Sequence, residues 1–142
     1  WEKTKPADVD FKRVPAVFSA DWSLLAQAFY TAETLGVGAK MHEPLFEAIH
    51  IDRLNLRDEQ VLASLFSEHG GITNADFAEA FSAFSVKSRV SQASAKSRAY
   101  GVTGVPTMVV NGKYRVDGQM AGSNEDMLKV VDFLVAKEQA GL

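Results

Sequence analysis

Residues 100–116 read YGVTGVPTMVVNGKYRV, and the triplet Gly104-Val105-Pro106 stands directly before an apolar run. Proline brings no N–H to a sheet ladder and is confined to strand starts, edges and bulges. Here it opens the run "PTMVV", which turns at Asn111-Gly112 and returns as "KYRV". Asn-Gly between two apolar runs is the strongest short signal for a hairpin. A trans Val105-Pro106 peptide is the ordinary reading, since X–Pro bonds in folded proteins are cis in only about 5–6% of cases. Gly101 and Gly104 nevertheless leave room for a sharp turn. A cis proline would expose the N–H and C=O of Val105 along a surface where an extended peptide could pair with them. On these residues alone both readings stand.

C-terminal to the hairpin, Ser123 with Asp126 three residues on forms a variant of the capping box. Met127, Val130, Val131, Leu134 and Val135 supply the buried stripe of the helix that follows. On the N-terminal side the period is helical from Ser19 onward. "DWSLLAQAFYTAETLG" predicts a helix capped by Asp21 and stopped at Gly36, and "HEPLFEAIHIDR" a shorter one with Pro44 near its first turn. "RDEQVLASLFSEHGG" predicts a helix capped near Asp58 and closed by Gly70-Gly71, and "TNADFAEAFSAF" one capped by Thr73 or Asn74. "SVKSRVSQASAKSRAYGV" is a long fifth helix ending at Gly101. Before them, "DVDFKRVPAVF" alternates with Val9, Phe11 and Arg13 on one face, which predicts a strand bent or ended at Pro15. "WEKTK" reads as the polar tail of a helix whose body lies upstream, ended by Pro6. The predicted order is strand, five helices, two strands, helix.

Composition narrows the class. The chain has 142 residues, 46% apolar and 23% charged, with a net charge of −3, so an ordinary folded domain is expected. Its basic residues are scattered, which argues against a nucleic-acid surface. The mild cluster of Lys87, Arg89, Lys96 and Arg98 reads as a solvated helix face. No stretch approaches the roughly 20 apolar residues of a membrane span, and no signal peptide is apparent. The chain opens at Trp1 rather than Met, so either processing or a piece of a longer protein is expected. Cysteine is absent, so this chain holds no disulfide, thiolate metal site or cysteine nucleophile.

"GVTGVPTMVVNGKY" closely resembles the cis-proline loop and following hairpin of DsbA-like thiol:disulfide oxidoreductases. "MHEPLFEAIH" and "FAEAFSAFSVKSRV" are similar to segments of the helical domain inserted in that family. The resemblance covers essentially the whole chain. It implies an α/β (α+β) thioredoxin-like fold with an inserted all-helical domain, incomplete at its N-terminus. Residues 1–18 and 101–142 would form the partial thioredoxin-like domain, and residues 19–100 the helical insertion.

The resemblance implies that Val105-Pro106 is cis, with Pro106 facing a dithiol and the Val105 backbone pairing with substrate. Thr103, Gly104 and Thr107 would shape the loop. Arg13 would be a basic residue beneath the active site, paired with a buried acid on the first helix. Equally, Arg13 snorkels to solvent at a strand end. The family's Cys-x-x-Cys precedes the segment present here, so this chain alone should be redox-inactive.

The intact protein would be a periplasmic enzyme that introduces disulfides into unfolded secreted polypeptides carrying free thiols. A membrane quinone-linked protein would reoxidise it, and no nucleic acid or cofactor is involved. The alternatives are a redox-inactive peptide-binding module and a glutathione-dependent isomerase or transferase of the same superfamily. The family sheet also has a central strand between those around Phe11 and Val109. Its lack here would leave two apolar edges, to be filled by the missing segment, by another chain or by a swapped dimer.

The remaining chemistry-bearing residues are dispersed. His42, His50 and His69 form no pair at helical metal-ligand spacing, and no metal site is expected. Asp58/Glu59 and Glu125/Asp126 fall in first helical turns, where the macrodipole favours them as caps. Phe18, Trp22, Phe29, Tyr30, Phe46, Phe66, Phe77, Phe81 and Phe84 recur mostly at helical spacing and are read chiefly as core.

Overall fold

Five consecutive helices occupy the middle of the chain: α1 (Ala20–Thr34), α2 (Gly38–His50), α3 (Glu59–Gly70), α4 (Asn74–Ser82) and α5 (Phe84–Ala99). After them come β1 (Thr107–Val110), β2 (Tyr114–Asp117), the short α6 (Gly118–Ala121) and α7 (Asn124–Gln139). The structure is a computed structural model and describes residues 1–141. It contains two compact units, Pro15–Ala95 and Trp1–Val14 with Lys96–Leu142.

In the helical unit, local capping sets the starts and stops. Ser19, not Asp21, caps α1, its hydroxyl accepting the Trp22 N–H at 3.4 Å. Asp58 caps α3 through the Gln60 N–H at 2.9 Å, and Gly71 closes it with φ of 68°. Thr73 caps α4 through the Asp76 N–H at 3.1 Å. Helix α2 starts at Gly38, earlier than expected, so Pro44 lies in its interior rather than near its first turn. Such a proline removes a ladder donor and crowds the preceding turn. Burial of Met41, Leu45 and Ala48 along the same helix offsets that loss.

Phe66, Phe77 and Phe81 form the aromatic centre of this unit, with ring centroids 4.8 and 5.1 Å apart along the series. Met41, Leu45, Leu62 and alanines of α1 surround them. A second cluster joins Ala26 and Tyr30 of α1 to Val86, Val90 and Ala93 of α5. The Arg89 guanidinium lies 4.3 Å from the centre of the Tyr30 ring. Burial pushes the Tyr30 hydroxyl pKa up, against the opposing pull of Arg89. Not every aromatic is core: Phe18, Trp22 and Phe46 are exposed, and Phe84 is 86% exposed at the start of α5. Helical spacing puts them on helices but does not decide which face the neighbours cover.

The other unit is a hairpin on a helix. Strands β1 and β2 pair antiparallel with Val110 opposite Tyr114 and Thr107 opposite Asp117. Asn111 and Gly112 have φ of 50° and 67°, the left-handed pair of a type I′ turn. Val110 and Val116 bury against Met127, Val131, Leu134 and Val135 of α7. The Ser123 hydroxyl caps α7 by accepting the Asp126 N–H at 3.0 Å. Val130, expected in the buried stripe, is 37% exposed. It lines an open groove of about 390 Å³ beside Met120, Ala121 and Leu134.

Residues 1–5 form a hydrogen-bonded turn rather than the end of a helix, the Thr4 and Lys5 N–H groups both donating to the Trp1 carbonyl at 2.8 and 2.9 Å. The Trp1 indole donates to Asp132 of α7 at 2.6 Å, and Phe11 meets the Trp1 ring edge-on at 5.6 Å. Residues 9–13 do not form the expected strand. Val9 packs against the hairpin core, but the observed sheet consists of β1 and β2 alone among the described residues. Alternation assigns side chains to faces; a strand also needs a neighbour for its backbone groups.

Candidate peptide-presenting loop

The segment from Gly101 to Thr107 is built at both ends. At the C-terminal end of α5 the Gly101 N–H donates to Arg98 O at 3.0 Å and the Val102 N–H to Ser97 O at 2.8 Å. With Gly101 at φ of 61°, this is a left-handed helix stop that satisfies carbonyls the helix leaves without partners. At the other end the Thr107 hydroxyl donates to the Gly104 carbonyl at 2.7 Å, closing the turn just before β1.

Between these ties stand Thr103, Gly104, Val105 and Pro106, all exposed. The Val105-Pro106 peptide is cis. Val105 is 57% exposed, and among the described residues no hydrogen bond engages its N–H or C=O. The Val105 main chain thus keeps one donor and one acceptor without a partner among the described residues.

The hairpin that follows is locked by α7. Glu138 accepts from Lys113 Nζ at 2.7 Å and from Asn111 Nδ2 at 2.5 Å. The hydrogen bond from Lys113, and then that from Asn111, hold the Glu138 carboxyl below its usual range; the same bond raises Lys113. From β2, the Arg115 guanidinium donates through Nη1 to the carbonyls of Tyr100, at 3.3 Å, and Gly101.

Val105, Pro106, Thr103, Gly104 and Thr107 thus lie together in one loop. Arg13 stands apart from it in sequence. It donates through Nη2 to Glu2 at 2.7 Å, both side chains half-exposed, with its guanidinium carbon 5.7 Å from the centre of the Phe11 ring. Its partner is a surface acid rather than a buried one, a kind of pair that contributes little. Glu138 and Arg115 were not singled out from the sequence. Both are charged residues at exposed-looking positions, and nothing in local spacing distinguishes them from solvated neighbours. Among the described residues, no group of three or more histidine or acidic side chains stands close enough to hold a metal ion. Nor is any helix among them long and apolar enough to cross a membrane.

A family model for the DSBA-like thioredoxin domain matches residues 4–133. The thiol:disulfide interchange protein DsbA of Pseudomonas aeruginosa is 41% identical over 140 residues, an alignment covering 99% of this chain and 66% of that protein. The crystal structure of P. aeruginosa DsbA superposes with a TM-score of 0.91 at 40% identity, over 99% of this chain and 73% of the other. A Proteus mirabilis DsbA variant, solved with the non-covalently bound peptide PWATCDS, gives a TM-score of 0.75 at 25% identity, over 96% of this chain and 73% of that one. The chain belongs to the DSBA-like thioredoxin domain family and has its thioredoxin-like fold, mostly helical with a small sheet. It spans just under two thirds of the curated relative's length and contains no cysteine.

Proposed function

We propose that this chain is the peptide-holding part of a periplasmic DsbA-type thiol:disulfide oxidoreductase, whose Cys-x-x-Cys lies in a segment outside these 142 residues. The observation that carries the reading is the exposed, unpartnered backbone of Val105 in a loop tied at both ends. An unfolded secreted polypeptide would lie extended along Val105, with Pro106, Thr103, Gly104 and Thr107 shaping the contact.

In the intact protein a substrate thiolate attacks one sulfur of the enzyme disulfide, forming a mixed disulfide and releasing the other cysteine as a thiolate. A second substrate thiolate then attacks the substrate sulfur of the mixed disulfide. The substrate leaves oxidised, and the enzyme retains two electrons as a dithiol. A membrane quinone-linked partner takes up those electrons.

The same reading accounts for residues 9–13, which lack a ladder. They and the open edge of β1 would flank one strand supplied by the further segment, by another chain or by a swapped copy. A 142-residue chain that stays strictly monomeric and unfolds in one cooperative step would rule out that need for a supplied strand.

The test is a titration of the isotope-labelled chain with PWATCDS under reducing conditions. Amide shifts centred on Val105 and Thr107 support the reading, and their absence refutes it. A second reading, a binding module without redox chemistry, rests on the same Val105 loop and differs only in what the further segment carries. Adding the N-terminal third of P. aeruginosa DsbA in trans separates the two. Restored dithiol oxidation supports the enzyme, whereas peptide binding without turnover supports the module.

A further inference from the structure

We propose that Arg115 is the positioning residue of the peptide-presenting loop, acting from β2 on the main chain at the end of α5. The inference rests on the reading of Val105 given above. The last carbonyls of a helix have no intrahelical donor and carry the negative end of the macrodipole. Just past that end, at Tyr100 O and Gly101 O, the two residues following α5, Arg115 places a permanently charged planar donor. Bonds from an ionised donor are about twice as strong as neutral ones.

The guanidinium is itself well anchored. Arg115 lies opposite Val109 in the hairpin, flanked on its strand by the half-buried Tyr114 and the buried Val116. Its stem therefore starts from a backbone fixed by the hairpin ladder and by α7. Its tip fixes the point where the chain leaves α5, and Thr107 fixes the point where it enters β1. Between the two lie only Val102 to Pro106, so the place of Val105 follows from both ties.

The glycine at 101 fits this arrangement for two separate reasons. Its φ of 61° suits the helix stop, and a Cβ there would stand 2.7 Å from Arg115 Nη1. The Tyr100 side chain leans the same way, its hydroxyl 3.7 Å from where a Cβ on Gly112 would be. The end of α5 and the hairpin turn are thus held against each other, with Arg115 as the polar tie.

The experiment compares wild type, Arg115→Met and Arg115→Lys in the labelled 142-residue chain. Met keeps an unbranched stem and removes every donor; Lys restores charge and donors without the fork. In the free chain, Arg115→Met should speed exchange of the Val102 amide about tenfold, while Val131 and Leu134 amides stay within about twofold. The same variant should weaken PWATCDS binding about tenfold, and Arg115→Lys should recover to within about threefold of wild type. Unchanged loop exchange and affinity in Arg115→Met overturn the proposal. So does acceleration of Val131 and Leu134 equal to that of Val102, which would make Arg115 a general stabiliser. A wild-type chain that binds no peptide defeats the reading of the site, and the exchange pattern then still decides what Arg115 does to the loop.

Discussion

Replacing Met127 by Ala should loosen the unit that carries the loop, and the structure sets the size of the effect. Met127 is 3% exposed at the centre of the cluster formed by Val110, Val116, Val131, Leu134 and Val135. The change deletes about three methylene equivalents at about 0.8 kcal/mol each, roughly 2.4 kcal/mol before any cavity is counted. Incomplete collapse around the void adds to this, within the range of about 2–5 kcal/mol seen for such truncations. For a unit of about sixty residues, each kcal/mol moves the melting temperature by about 4–8 °C, so a drop of more than about 10 °C is expected.

Trp1 packs against this cluster and its indole donates to Asp132, so its fluorescence reports on this unit. Trp22, the other tryptophan, lies in the helical unit and is replaced by Phe in the background used for the measurement. The Trp1 transition should shift by the full amount, whereas the control Lys129→Ala, an exposed residue paired only with Asp126, shifts it by no more than about 4 °C. If Met127→Ala moves the transition no further than the control does, Met127 is not the keystone of this core.

Thr107→Val removes the hydroxyl bond to the Gly104 carbonyl while keeping side-chain size. It should cost about 0.5–1.5 kcal/mol at the low end of that range, because the exposed carbonyl regains water, and Thr107→Ser should recover most of it in a urea titration. The Glu138 clamp gives a pH signature. Its lowered carboxyl adds stability above the ordinary value of 4.5 that is lost as pH falls through the lowered folded value. Lys113, raised from 10.5, keeps its contribution below that value and loses it as pH rises through the folded value above it. Urea midpoints should therefore fall less below pH 4.5 in Glu138→Gln than in wild type, and parallel acid limbs would contradict the clamp. Pro44→Ala should raise the melting temperature of the helical unit. Restored helix propensity of about 3 kcal/mol exceeds the roughly 0.4–1 kcal/mol by which proline restrains the unfolded chain.

The elements that could be read from sequence are those whose signals are local. The Asn111-Gly112 turn, the caps at Asp58, Thr73 and Ser123 and the loop before β1 all depend on residues within a few positions of one another. Those read differently depend on a neighbour. Residues 9–13 alternate like a strand but pair with no other strand among the described residues, and Pro44 looks like a first-turn proline until the helix is seen to start at Gly38. Phe84 has helical spacing but stays largely exposed among the described residues. Short α6 carries too few residues to show a period. At the site, a sharp turn into β1 was legible because glycine admits backbone angles other residues avoid and proline fixes its own φ, whereas the cis Val105-Pro106 peptide followed only from the family resemblance. Arg115 and Glu138 were not, because their partners lie 14 and 25–27 residues away along the chain.

The unpartnered N–H and C=O of Val105 have a consequence for the range of molecules such a site admits. Every residue of every polypeptide except proline carries the same donor and acceptor, so a grip made through them is indifferent to side-chain identity. What it does sense is conformation, because only a segment not already engaged in its own helix or sheet has those groups to offer. On the proposed reading, the loop would be blind to which protein arrives and sensitive to whether that protein has finished folding.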